Sequence, residues 1–317
     1  MNISIIIPLY NKGMLVTETL DSILEQTYQL FEIIIVDDGS TDDSVSHIYP
    51  YLTDKRIKLI TQVNAGPGAA RNFGVKKAQY DWISFIDADD VWHQDFLLHA
   101  VESLNKNVNH HFFFSKTTTD EKLLGEKKQD ELSLFNFDDF IESDFSSPTF
   151  KTHCDTSSGA MLARKDKFIS AGGFYEKNKC IYGEDSFLIT IILVDNLVVF
   201  SARALLLVRS QPDGLSSQAK KDVKVRPLVN NSIFLYSLLK RKELTEVRQY
   251  ISYLTMLDAK SLSSKGRGWE AIKLIKVNFN SYYFTNVKMI KYIFIISTNI
   301  VFSPLLIILN KMTEGKT

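Results

Sequence analysis

Three carboxylates, Asp87, Asp89 and Asp90, fall within four residues at the end of the apolar run Ile83–Ile86. Anions this close repel one another, and the arrangement makes physical sense where a cation shares the site. Oxygen-only donors suit Mg²⁺ or Mn²⁺, ions that keep waters and complete their shell from a substrate diphosphate. The same residues also fit a solvated acidic turn ahead of a helix expected from about Gln94, so the Asp-x-Asp spacing alone leaves both readings open. Two further acidic clusters bear on the choice. Asp37 and Asp38 follow the apolar run Phe31–Val36, and Glu184 and Asp185 follow Gly183 at the head of the apolar segment 187–193. The second pair suits a helix N-terminus, whose dipole favours carboxylates, and equally suits a general base. Between the clusters, Asn64 to Asn72 carries Gly66, Pro67, Gly68 and Arg71. Such a turn is either a plain helix start with a solvated arginine or a place where backbone amides and Arg71 face a phosphate.

The elements that must hold these residues are legible as alternating strands and helices. Ser4–Ile7, bounded by Pro8, predicts a strand buried on both faces; Val16, Leu20, Ile23 and Leu24 recur at helical spacing, and Phe31–Val36 predicts a second buried strand. A β-α-β crossover brings both strand ends to one edge of a parallel sheet, where open α/β sheets bind ligands. Asn11 to Gly13 is expected as a loop, and Gly39 as a tight turn with Ser40 or Thr41 capping the next helix. Further strands are expected at 57–60, 83–86, 111–114, 158–162, 197–200 and 205–209, with helices over 94–104 and 165–171. The polar stretch 117–136 reads as a surface insertion, and 210–217 as a loop.

With 317 residues, 45% of them hydrophobic, the chain accommodates one large domain and an appendage. Its two cysteines, Cys154 and Cys180, have no metal-ligand spacing, which excludes a disulfide scaffold or zinc ribbon. The formal net charge of zero hides an asymmetry: from Lys220 onward there are 17 Lys and Arg against 6 Asp and Glu. We therefore divide the chain into a catalytic domain over 1–219 and a basic helical region over 220–317. Within the latter, 292–309 is an uncharged run of 18 residues, at the lower edge of what spans a bilayer. Asn299, Ser303 and Pro304 interrupt it, so spanning, interfacial and buried docking helices all remain open. Lys273, Lys276, Lys288 and Lys291 precede it and favour an anionic membrane surface. Nucleic acid explains the charge but not the apolar run, and is excluded as a partner. No basic leader precedes Ile3–Ile7, so the protein is expected in the cytoplasm, peripheral to or anchored at the inner face of the cell membrane.

Taken together, Ile5 to Asn11, Ile34 to Asp42, Asn64 to Asn72, Asp87 to Asp90 and Gly183 to Asp185 closely resemble the family 2 glycosyltransferases of GT-A fold, over roughly Ser4 to Ser217. The resemblance implies an open, mostly parallel α/β sheet flanked by helices, with a Rossmann-like nucleotide-binding half; the helical apolar spacing from Pro227 onward adds a C-terminal α-helical extension. It implies an inverting transfer of a sugar, of hexosyl or N-acetylhexosaminyl type, from a nucleotide-sugar donor, UDP-sugar foremost. The acceptor would be a hydroxyl of a glycan or lipid-linked molecule in cell-surface polysaccharide synthesis. By position, Pro8 and Tyr10 would line the nucleoside pocket, Asp38 would face the base, and Arg71 would lie near base or diphosphate. Asp87, with Ala88, would contact the ribose side, and Asp89 would bind Mn²⁺ or Mg²⁺. Asp185 would take the acceptor proton, with Glu184 beside it. Many relatives carry a histidine in the loop after the last strand; here Gln211 occupies that place and is a weaker ligand. A metal-dependent nucleotidyltransferase and a non-catalytic nucleotide- or glycan-binding module are the alternatives.

Overall fold

The N-terminal isoleucines form strand β1 (Ile3–Leu9), in which every residue is buried. In this computed structural model, which describes residues 1–126, 132–135, 156–180, 182–195, 197–209, 225–232 and 244–278, β1 is central because it is covered on both faces. It pairs in parallel with β2 (Phe31–Asp37) on one side and β4 (Trp82–Phe85) on the other, and β2 pairs in parallel with β3 (Ile57–Thr61). The crossover helices are α1 (Leu15–Leu24), α2 (Ser44–Ile48) and α3 (Pro67–Lys77). Parallel pairing sends the C-terminal ends of β1, β2 and β4 to one edge, which is where the chain places Tyr10, Asp37, Asp38 and Asp87.

Beyond β4 the sheet becomes mixed. The strands not yet introduced are β5 (Val91–Trp92), β6 (Phe112–Thr118), β7 (Leu132–Phe135), β8 (Met161–Arg164) and β9 (Val198–Leu207). Among the described residues the order is β3-β2-β1-β4-β8-β6-β9-β5, with β7 on β9. The pairs β4 with β8, β6 with β8, β5 with β9 and β7 with β9 are antiparallel, while β6 and β9 run parallel. "Mostly parallel" thus describes the first four strands and not the whole sheet. Helices α4 (Phe96–Lys106), α5 (Lys165–Ser170) and α6 (Glu184–Asp195) complete this part.

Several local expectations are revised. Ser158–Ala160 is a 3-10 turn and the strand begins only at Met161. The two strands expected at 197–200 and 205–209 are one, β9, which continues through Arg203 because that side chain is buried and donates from Nε to the Gly125 carbonyl at 3.0 Å. The stretch 117–136 is not wholly irregular, since it holds the end of β6 and all of β7. Ser40 and Thr41 do not cap α2. They bind the loop after β1: Asn11 N donates to Ser40 Oγ at 3.2 Å, and Thr41 N donates to Asn11 Oδ1 at 2.8 Å.

The described chain forms two compact units, 1–214 and 215–317. In the second, α7 (Pro227–Asn230), α8 (Leu244–Ser264) and α9 (Gly268–Val277) are helical. Met256, Ala259 and Leu262 of α8 pack with Ala271, Leu274 and Ile275 of α9 into a small core. The Arg226 guanidinium bonds Asp258 at 2.6 Å, which compensates a carboxylate otherwise buried among them. No helix among the described residues is long and apolar enough to cross a membrane. The run 292–309, Gln211, Cys154, Lys288 and Lys291 lie outside the described residues.

Candidate active site

The glycine-rich turn is organised from beneath by Asp38. Its buried carboxylate accepts from Ala65 N and Gly66 N, each at 2.8 Å, and from Gln62 Nε2 at 2.7 Å. Of the two readings the turn left open, these two amides fit the plain helix start, since both are bonded within the protein. Gly66 has φ 93°, open to glycine and strained for other residues, and Pro67 follows at the first turn of α3. At Gly68 a Cβ would stand 2.6 Å from the Tyr175 carbonyl oxygen, so only glycine lets α3 approach residues 173–176. Asn72 completes that seam, donating to Phe174 O at 2.9 Å and accepting from Phe174 N at 3.0 Å.

Arg71 points inward from the same helix. It is 3% exposed and lies over the Phe174 ring, 5.0 Å from its centroid. One terminal nitrogen donates to Asp87 at 2.5 Å and the other to Glu184 at 3.0 Å. A guanidinium fixed between two carboxylates is pre-organised for charge pairing. Burial works against the Arg71 charge, but Asp87 and Glu184 more than offset it and hold the group firmly protonated. Arg71 therefore joins the acidic strand end to the head of α6.

At that head, burial and the neighbouring Asp185 push the Glu184 carboxyl up to about 7, opposed by Arg71. Burial likewise raises Asp185, opposed by Arg71 and by the Ser186 amide, which donates to Asp185 Oδ1 at 2.7 Å. Two adjacent acids thus occupy different settings. Glu184 is anchored through Arg71, whereas the side-chain hydrogen bonds of Asp185 are to Ser186 N and Ser186 Oγ.

Along the acidic run, Asp87 remains partly open with its side chain 37% exposed, while Asp89 and Asp90 are buried. Burial raises Asp89, and Lys12 opposes the shift through an ion pair to Oδ2. Burial, Asp87 and Asp89 push Asp90 up to about 8; it accepts from Arg209 N at 3.1 Å. Ala88 is fully buried, backbone and methyl alike, and belongs to the main core. Pro8 is buried in β1, and Tyr10 just beyond it is 36% exposed.

Among the described residues no three His, Cys, Asp or Glu side chains converge as a metal-ligand set. The donors nevertheless fit a hard divalent ion whose remaining ligands come from a diphosphate: they are carboxylate oxygens at a strand end, and Asp89 is already paired with a cation. Lys12 was passed over in sequence as part of a loop. Its signal was position, since it is the basic side chain two residues beyond Tyr10 at the same sheet edge.

A family model described as Glycosyl transferase family 2 matches residues 4–168. The chain is 42% identical over 116 residues to an uncharacterized glycosyltransferase of Rickettsia conorii, covering 37% of this chain and 19% of that one. It is 50% identical over 90 residues to one of Haemophilus influenzae, covering 28% and 36%. The aligned segments therefore span between about a fifth and about a third of those relatives' own lengths. Among solved structures, Staphylococcus aureus TarS 1-349 in complex with UDP-GlcNAc superposes with a TM-score of 0.58 at 18% identity, covering 89% of this chain and 74% of that one. The mannosyltransferase PcManGT of Pyrobaculum calidifontis, with GDP-Man and Mn²⁺, superposes with 0.59 at 16%, covering 95% and 87%. At these identities the likeness establishes the shared fold.

Proposed function

The chain belongs to glycosyl transferase family 2, and from that premise we propose that it is an inverting glycosyltransferase acting on a nucleoside diphosphate sugar. The observation that carries the reading is the placement of Arg71 between Asp87 and Glu184, which sets the acidic strand end beside Asp185. Donor-side and acceptor-side acids then share one site.

In this reading Pro8, Tyr10 and Asp38 form the nucleoside side of the pocket, and Asp87, with the buried Ala88 behind it, meets the ribose. Asp89 is the side chain that holds Mn²⁺ or Mg²⁺, which when bound supplies positive charge against the departing diphosphate. Lys12 offers a second cation at the same place. Asp185 accepts the proton of the acceptor hydroxyl as its oxygen bonds the anomeric carbon. The bond from that carbon to the diphosphate oxygen breaks, its electron pair leaves with the nucleoside diphosphate, and attack opposite the leaving group inverts the centre. A carboxylate raised by burial is the better base near neutral pH.

UDP-sugar is the donor we favour, and a hydroxyl of a glycan or lipid-linked molecule the acceptor, in assembly of a cell-surface polysaccharide. Two fold neighbours bind UDP-GlcNAc and GDP-Man, both nucleoside diphosphate sugars, which supports the donor class. The basic region from Lys220 supports work at an anionic inner membrane face. The test is a panel of UDP- and GDP-sugars with Mn²⁺, with and without glycan acceptors. Release of nucleoside diphosphate from a UDP-sugar is expected; release of pyrophosphate identifies a nucleotidyltransferase, and binding without turnover a binding module.

A further inference from the structure

Helix α9 has an inner face that the core of its unit explains and an outer face that it does not. Ala271, Leu274 and Ile275 pack inward. Outward, Trp269 is 82% exposed, Val277 56% and Ile272 38%, with the exposed Lys273 and Lys276 set among them. At 3.6 residues per turn, positions 269, 272, 273 and 276 share one side of the helix. The one acid of α9, Glu270, is held by Arg267 at 2.7 Å, so the two lysines define the charge of this face.

Exposed apolar side chains clustered on one face mark a surface that meets something other than water. The mixture identifies it. Indole rings settle at the headgroup level of a bilayer, with the ring in an apolar layer and the N–H in a wet one. Lysine stems lie along the same layer while their ammonium groups reach lipid phosphates. A protein occupant such as the uncharged run 292–309 would cover Trp269 but strip water from Lys273 and Lys276 without supplying an anion. An anionic bilayer supplies both. We propose that α9 is an interfacial contact with anionic lipid, anchored by Trp269 and held by Lys273 and Lys276. This deepens the membrane reading above and rests on it.

The experiment uses the full chain with vesicles of phosphatidylcholine alone or mixed with phosphatidylglycerol, each with or without brominated phosphatidylcholine. Cosedimentation with the anionic vesicles at low salt and quenching of tryptophan emission by the brominated chains are expected. Of the three tryptophans, Trp92 is 2% exposed and Trp82 is half-buried, so Trp269→Phe removes the quenching. Lys273→Gln with Lys276→Gln weakens anionic-vesicle binding roughly thirtyfold. Both variants keep the parent's turnover of donor with a soluble acceptor. Vesicle binding that is unchanged in the double variant, with Trp269 unquenched, overturns the role of α9 and leaves the membrane reading to other segments. A full chain that stays in the supernatant overturns both.

Discussion

Lys12 and Asp89, 77 residues apart, form an ion pair at the edge of the sheet where the acidic run begins. The protein thus carries its own counter-ion for a carboxylate that burial raises, and in the proposed reading the ammonium stands where the divalent ion would bind. A metal binding there without a nucleotide must displace it. Lys12→Met is expected to bind Mn²⁺ about tenfold more tightly than the parent in the absence of nucleotide, about 1.4 kcal/mol. Titration followed by calorimetry or Mn²⁺ paramagnetic resonance checks this, and equal affinities would refute the competition.

Asp89→Asn keeps the shape of the side chain and loses its charge. Transfer is expected to fall at least a hundredfold, on the scale of the several kcal/mol that a bound metal supplies, with the thermal midpoint within a few degrees of the parent. EDTA should abolish parental activity and added Mn²⁺ restore it. Full turnover in EDTA rules out the metal role.

Asp185 and Glu184 are adjacent, but only Glu184 is tied to Arg71 through a hydrogen bond. Asp185→Asn should lower transfer by about 10²–10⁴ while donor affinity survives, the usual effect of losing a general base. Glu184→Gln should act less on the chemical step and more on stability. Rates and calorimetric donor affinities separate them; a Glu184→Gln variant slower than Asp185→Asn reverses the assignment.

Arg71→Met tests the joint itself. Removing one partner from a buried charge cluster costs about 3–5 kcal/mol, because Asp87 and Glu184 lose their shared cation. Urea unfolding measures it, and a loss below about 1 kcal/mol would show that solvent compensates the acids.

Glu184 also gives stability a pH dependence. Its carboxyl lies at about 7 in the fold against an ordinary 4.5, so between those values the folded state binds more proton than the unfolded one. Stability contributed by this group is present below about pH 4.5 and declines as pH rises toward about 7. The difference in urea midpoint between pH 5 and pH 7.5 should therefore shrink in Glu184→Gln.

Strands β1 and β2 were legible because both faces are buried, so that each reads as an unbroken apolar run. The acids were legible because like charges clustered at strand ends need a reason. Strand β5 was not, since two residues carry no period, and β9 was read as two because a buried arginine looks like a break. The direction of Arg71 depended on partners brought by the fold. Spacing within the glycine-rich turn says where the helix starts, and not that its arginine pairs with both Asp87 and Glu184.

Glu184 reaches Arg71 across 113 residues of chain. During synthesis the β-α-β half leaves the ribosome long before that carboxylate exists, and contacts this distant in sequence close late and slowly. Until then the guanidinium has Asp87 alone for a carboxylate partner. The proposed site therefore cannot assemble piecemeal: the pairing that joins its two acidic clusters waits for the chain beyond residue 183 to dock.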